Sequence, residues 1–160
     1  KYQMKKITNL FVSLFYSGYF KIYPGTFGTI ISILILFPII KYKILSFETI
    51  ISVFVLIFFL SLFFIRRFSQ FTKSHDSSII VIDEFIGVYL IFIFYDYIFI
   101  NNDILTIILI FILFRFFDIT KVFPANIIDK KMNNALGVLL DDIIAGAYTI
   151  TTLYILNVYT

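Results

Sequence analysis

The sequence predicts an all-α fold: a polytopic membrane bundle of about five transmembrane helices with an N-terminal interfacial helix, residues 1–160 forming one domain. Three observations lead there. Hydrophobic residues make up 61% of the chain, whereas a soluble domain is about half apolar, and the mean hydropathy is +1.00. The apolar residues fall into long runs separated by short polar breaks. The charges are sorted as well, with 11 of the 13 basic residues on the side of the N-terminus and only Lys41 and Lys43 on the other.

Taken in order, residues 7–16 mix apolar and polar positions and are expected to lie along the interface. Apolar segments follow at 27–40, 47–65, 79–99, 104–117 and 138–158. The breaks between them are Lys41-Tyr42-Lys43, Arg66-Arg67, Asn101-Asn102-Asp103 and the polar stretch 118–137. A span needs about 20 residues, which the second, third and fifth segments supply. The first and fourth have 14 residues each, or ~21 Å of helix, and must extend past the apolar run or cross a thinned region. Lys5 and Lys6 precede an apolar run without a small-residue cleavage site, so no cleaved signal is expected. The positive-inside rule makes the basic side cytoplasmic. With no cysteine, disulfides, thiolate metal sites and a cysteine nucleophile are excluded. A net charge of +3 without an aromatic-basic surface sets nucleic acid aside.

The acids follow the same sorting. Asp76, Asp83, Glu84, Asp118, Asp129, Asp141 and Asp142 fall on the basic side, leaving Glu48, Asp96 and Asp103 on the other. A charge at membrane depth costs ~3 kcal/mol even on the lenient insertion scale, so this convergence needs a chemical reason. Asp83 and Glu84 stand one turn before Gly87, a small residue that lets another helix come close. Arg115, Asp118 and Lys121, at steps of three, form one polar helix face; an intrahelical salt-bridge ladder is the plainer reading. Asp141 and Asp142 open the last segment, with Ala145 and Gly146 a turn later. A helix dipole accounts for one acid there, but two exceed what capping requires. At Tyr23–Thr29, Pro24, Gly25 and Thr26 predict a tight turn into a helix, with Thr26 as N-cap. Such a turn is either an amide-lined anion site or an ordinary capped start. His75, the only histidine, reads equally as a solvated loop residue or a functional one. Hard carboxylates suit Mg²⁺, and arginine and lysine recognise phosphate. The set therefore points to metal-assisted attack on a phosphate ester at a membrane face. It leaves open which carboxylate binds metal and which acts as base or nucleophile.

In order, these motifs resemble the bacterial phosphatidylglycerophosphatase A family. The matching elements are P-G-T-x-G-T at Pro24–Thr29, H-D-x(6)-D-E-F-I-G at His75–Gly87, F-R-x-x-D-x-x-K-x-x-P at Phe114–Pro124 and D-D-x-x-A-G at Asp141–Gly146. The resemblance covers roughly residues 18–146, and Asp129 also sits where the family has an aspartate. Departures occur at Lys21 and Val122, where the family tends to have proline, and at Asn134-Ala135, where it has a glycine pair. The resemblance implies a Mg²⁺-dependent lipid phosphatase of the bacterial inner membrane, with its site on the cytoplasmic face. Its substrate would be phosphatidylglycerol phosphate, and its products phosphatidylglycerol and phosphate. Asp83, Glu84, Asp118, Asp141 and Asp142 would be catalytic and metal-binding, while Gly25, Thr26, His75, Arg115 and Lys121 would bind substrate. The rival expectation is a cation- or proton-coupled transporter, since intramembrane acids also mark ion paths.

Overall fold

The computed structural model describes residues 2–20, 22–72 and 77–159, and among these every regular element is helical. Helix α1 (Tyr2–Val12) is amphipathic and leads through a 3-10 turn (Ser17–Tyr19) into α2 (Pro24–Lys41). Pro24 opens α2, where a missing N–H does no harm. The N-cap is Tyr23, in the left-handed region at φ 52° and without a side-chain cap bond. Thr26 therefore lies inside the first turn and is not the expected cap. Helix α3 (Phe47–Thr72) continues past Arg66-Arg67, both of which are exposed. Helix α4 (Ile82–Ile93) stops at Phe94, and a short α5 (Tyr95–Ile98) follows. Helix α6 (Asp103–Thr120) starts where Asn102 Oδ1 accepts the Leu105 N–H at 2.8 Å. A further short helix, α7 (Ala125–Lys131), occupies the stretch expected to be a polar break, and α8 (Ala135–Tyr159) completes the chain.

Among the described residues three helices, α2, α3 and α8, are long and apolar enough to cross a membrane, against the five expected. The other two candidates fall short for different reasons. Helix α4 has only 12 residues before the chain breaks at Phe94. Helix α6 reaches 18 residues but carries Asp103, Arg115 and Asp118 within them. Helix α4 is instead the centre of the bundle, touching α2, α3, α6 and α8, with nine of its 12 residues buried. Between lipid-facing helices the driving force is van der Waals packing, which favours small residues at the crossings. Gly87 on α4 and Gly146 on α8 meet in this way: a Cβ on Gly146 would lie 2.8 Å from Gly87 O.

At the far end, Lys41 Nζ pairs with Asp103 at 2.8 Å, and Tyr95 donates to Asp103 at 2.8 Å. These bonds latch the end of α2 to the start of α6. Both helices have 18 residues, so latching them there aligns Pro24–Gly25 with Arg115–Asp118 at the opposite end.

Candidate active site

The aligned ends enclose a cavity of about 360 Å³, at the small end of the ~300–1,000 Å³ typical of ligand sites. Its wall draws on the start of α2, the start of α4, the end of α6, the α6–α7 turn and the start of α8. Asp83, Glu84, Arg115, Asp118, Lys121, Asp141, Asp142 and Gly25 all line it, as the sequence suggested.

The α4–α8 crossing sets the central geometry. Asp142 lies one turn before Gly146, and Asp83 and Glu84 lie one turn before Gly87. The close glycine contact therefore brings the three acids together, with one carboxylate oxygen from each within 4.8 Å of the others. Glu84 and Asp142 are buried, at 9% and 3% exposure. Among the described residues, Glu84 Oε2 and Asp142 Oδ1 have no hydrogen-bond partner. Unpaired carboxylate oxygens are costly to bury, so a cation or a proton beside these two would stabilise them. A donor set made only of carboxylate oxygen fits a hard divalent ion such as Mg²⁺.

Asp118 and Asp141 are held differently. Arg115 Nη1 hydrogen-bonds Asp118 and approaches Glu84 Oε1 at 3.7 Å. Lys121 Nζ bonds Asp129 and also reaches Asp141 Oδ2 at 2.9 Å. Burial works to lower the Lys121 pKa, but the bonds to Asp129 and Asp141 carry it above the ordinary lysine value. Lys121 does not continue the Arg115–Asp118 helix face, as the steps of three predicted. It is the C-cap of α6, in the left-handed region at φ 44°, so the chain turns sharply and directs it elsewhere. Asp118 nonetheless stays close enough to interact electrostatically with Asp83, Glu84 and Asp142.

Gly25 belongs to the site for a steric reason. A Cβ there would overlap Glu84 Oε1 and lie 3.0 Å from Arg115 Nη1, so a larger residue would push these two side-chain ends from their present positions. Arg115 Nε is buried without a partner among the described residues. Thr26 does not line the cavity, and its N–H bonds Tyr23 O at 3.0 Å. His75 lies outside the described residues, though Ser77 and Ser78, which follow it in the same sequence block, line the wall. The sequence reading gave no role at the site to Tyr23, Asn133 or Asn134, which also line it. Asn134 Oδ1 accepts the Gly137 N–H at 2.9 Å at the start of α8, a role its residue type permits but its position did not announce. The cavity wall carries six carboxylates against two cations among the described residues, so an anionic ligand requires added positive charge there.

The profile of the family described as phosphatidylglycerophosphatase A matches residues 10–157. The chain is 29% identical over 140 residues to phosphatidylglycerophosphatase A of Haemophilus influenzae, covering 88% of this chain and 82% of that protein. It is 26% identical over 145 residues to phosphatidylglycerophosphatase A of Escherichia coli K12, covering 89% of this chain and 79% of that one. No solved structure gives a significant match. A match running from α1 to α8 spans every element that builds the cavity, and the chain belongs to the phosphatidylglycerophosphatase A family.

Proposed function

We propose that the protein hydrolyses the terminal phosphomonoester of phosphatidylglycerol phosphate at the cytoplasmic face of a bacterial inner membrane, releasing phosphatidylglycerol and inorganic phosphate. The observation that carries this reading is the meeting of Asp83, Glu84 and Asp142 within 4.8 Å, beside Arg115 and Lys121 in one cavity. Family membership supports the substrate, and the sorting of eleven basic residues to one side in the sequence supports the face.

Asp83, Glu84 and Asp142 would hold Mg²⁺, with Asp118 and Asp141 as flanking carboxylates. The ion would neutralise phosphate charge and acidify a bound water. The chain's own contribution is positioning. Arg115, fixed by Asp118, has its unpartnered Nε for a phosphate oxygen, and Gly25 keeps α2 from blocking that approach. Lys121, tethered between Asp129 and Asp141, supplies a point charge for a second phosphate. In the net reaction the P–O bond to the glycerol oxygen breaks, water oxygen joins phosphorus, and the glycerol oxygen takes a proton.

A transporter needs a polar path to the far face. Ile86, Val88, Ile91 and Phe92 of α4 fill the interior below the site and are fully buried, and Asp103 is engaged by Lys41 and Tyr95. The deciding experiment measures phosphate release from phosphatidylglycerol phosphate by purified protein with Mg²⁺ or with chelator. Release that requires Mg²⁺ and disappears in Asp142→Asn supports the proposal. No release above that of Asp142→Asn in either condition overturns it.

A further inference from the structure

We infer that the substrate lipid reaches the catalytic cavity sideways from the bilayer, through a groove between α3 and the start of α8 in which Arg66 receives its anionic headgroup while an acyl chain stays in the hydrocarbon. The groove measures about 490 Å³ and is lined by Leu62, Phe63 and Arg66 of α3, with Asn134, Ala135 and Leu136 facing them where α8 begins. Asn134 also lines the catalytic cavity, so the two hollows adjoin at this residue. Its Oδ1 accepts the Gly137 N–H at 2.9 Å, which fixes the junction to the first turn of α8. The identity of the lipid as substrate rests on the proposed hydrolysis.

Helical geometry puts the charge and the apolar wall together. Arg66 follows Leu62 at i+4 and Phe63 at i+3, so the three share one face of α3. Arg67 turns about 100° away from that face and bonds Gln70. From Phe47, where α3 starts, to Arg66 the helix rises ~28 Å, close to the ~30 Å thickness of the hydrocarbon layer. Arg66 therefore stands at headgroup level, with Leu62 and Phe63 one turn deeper among acyl chains. Arg115 and Lys121 are each engaged by acids, whereas among the described residues no ion pair occupies Arg66. Charge complementarity then selects the occupant, since an unclaimed guanidinium above an apolar wall suits an anionic phospholipid. Continuity with the carboxylate cavity makes that lipid the one whose headgroup is processed there. Its phosphates pass on to Arg115 and Lys121, so Arg66 is a positioning residue that acts before the chemistry.

The chain contains no tryptophan, so a single introduced indole reports on its own surroundings. Phe63→Trp places the probe in the groove, and Ile30→Trp, on an exposed position in the site-side half of α2, reports bulk lipid. Each variant is placed in phosphatidylcholine nanodiscs containing a small fraction of acyl-brominated phosphatidylglycerol or acyl-brominated phosphatidylcholine. Quenching at the Phe63→Trp probe should favour the anionic lipid by about fivefold, with no preference at the Ile30→Trp probe. Adding Arg66→Gln should abolish the preference and Arg66→Lys should keep it. Ala135→Leu, which fills the groove from α8 without altering charge, should weaken it. In the parent background, Arg66→Gln should raise the KM for phosphatidylglycerol phosphate in vesicles by about fivefold with kcat unchanged, and Arg66→Lys should restore it. Equal quenching by both lipids, an equal preference at the two probes, or a preference that survives Arg66→Gln would overturn the groove as a lipid site. An anionic preference at Phe63→Trp with an unchanged KM in Arg66→Gln would overturn its part in substrate entry. A parent protein that shows the preference but releases no phosphate would overturn the proposed hydrolysis, and with it the passage of substrate, while keeping the groove as an anionic-lipid site.

Discussion

Gly87→Ala tests whether the closeness of α4 and α8 is what makes the site. A Cβ at residue 87 would stand 2.6 Å from Phe114 Cε2 and 2.7 Å from Asp142 O. Ordinary C···O contacts are about 3.3 Å or longer, so α8 must retreat by roughly 0.6 Å at the residue that supplies a carboxylate. Overpacking of this kind costs about 1–3 kcal/mol, and alanine returns about 1 kcal/mol of helix propensity. The net destabilisation should therefore be about 0–2 kcal/mol, and the protein should still fold. Catalysis is far less tolerant, since a misplacement of about 1 Å can remove 100-fold of rate; a loss on the order of tenfold or more is expected. Thermal unfolding in detergent and phosphate release per folded molecule separate the two effects. A Gly87→Ala protein that folds and turns over within about twofold of the parent would refute the reasoning. Gly146→Ala provides a graded comparison, because its Cβ would clash only with Gly87 O, at 2.8 Å, and then meets nothing closer than 3.5 Å. Its rate loss should be smaller.

Asp142→Asn should lower turnover by on the order of 100-fold or more and weaken Mg²⁺ binding measured by calorimetry; near-normal values for both would remove Asp142 from the metal set. Arg115→Lys keeps the charge but cannot reproduce a forked guanidinium contact. A silent variant in phosphate-release kinetics would mean that Arg115 serves only its pair with Asp118. Lys121→Met leaves Asp129 and Asp141 without their shared cation; a stability loss of about 1–2 kcal/mol by thermal unfolding should accompany a raised KM or lowered kcat, and kinetics unchanged from the parent would exclude it from phosphate handling. Cysteine introduced at Lys130 in this cysteine-free chain should react with impermeant maleimide only from the cytoplasm, and cysteine at Asn102 only from outside; reversed labelling would invert the topology.

The convergence of Asp83-Glu84 with Asp141-Asp142 was legible because charges in apolar helices are expensive, so their positions carry information about function. The approach at Gly87 was legible for a related reason, since a glycine inside an apolar helix marks a place where another backbone comes close. The span count was less legible. Hydropathy registers how apolar 79–99 is, but not that its helix breaks at Phe94, where neither proline nor glycine gives warning. Nor does it register that α4 is sheathed by its neighbours, since a buried helix and a lipid-facing one have the same composition. Helix α7 escaped notice because seven residues, closing on Asp129-Lys130-Lys131, are too few to establish a period. That short helix is also what brings Asp129 to Lys121, so the partner of the lysine was out of reach.

The two cations are separated by backbone geometry that no spacing rule supplies. Left-handed torsions on non-glycine residues cost roughly 1–2 kcal/mol each, and two of them, Tyr23 at φ 52° and Lys121 at φ 44°, line the cavity. Had α6 continued as a regular helix, Lys121 would have stacked over Arg115 and Asp118, and the site would have had one composite positive pole. The turn at Lys121 instead sends its ammonium to Asp129 and Asp141, while Arg115 stays with Asp118 and Glu84. Each cation is then fixed by its own acids, and neither can be drawn to the other's partner without breaking an ion pair. On the proposed function, a lipid with a phosphomonoester to be cleaved and a phosphodiester to be spared would use two such poles held apart. The left-handed turn at Lys121 is the local feature that sets its ammonium apart from Arg115.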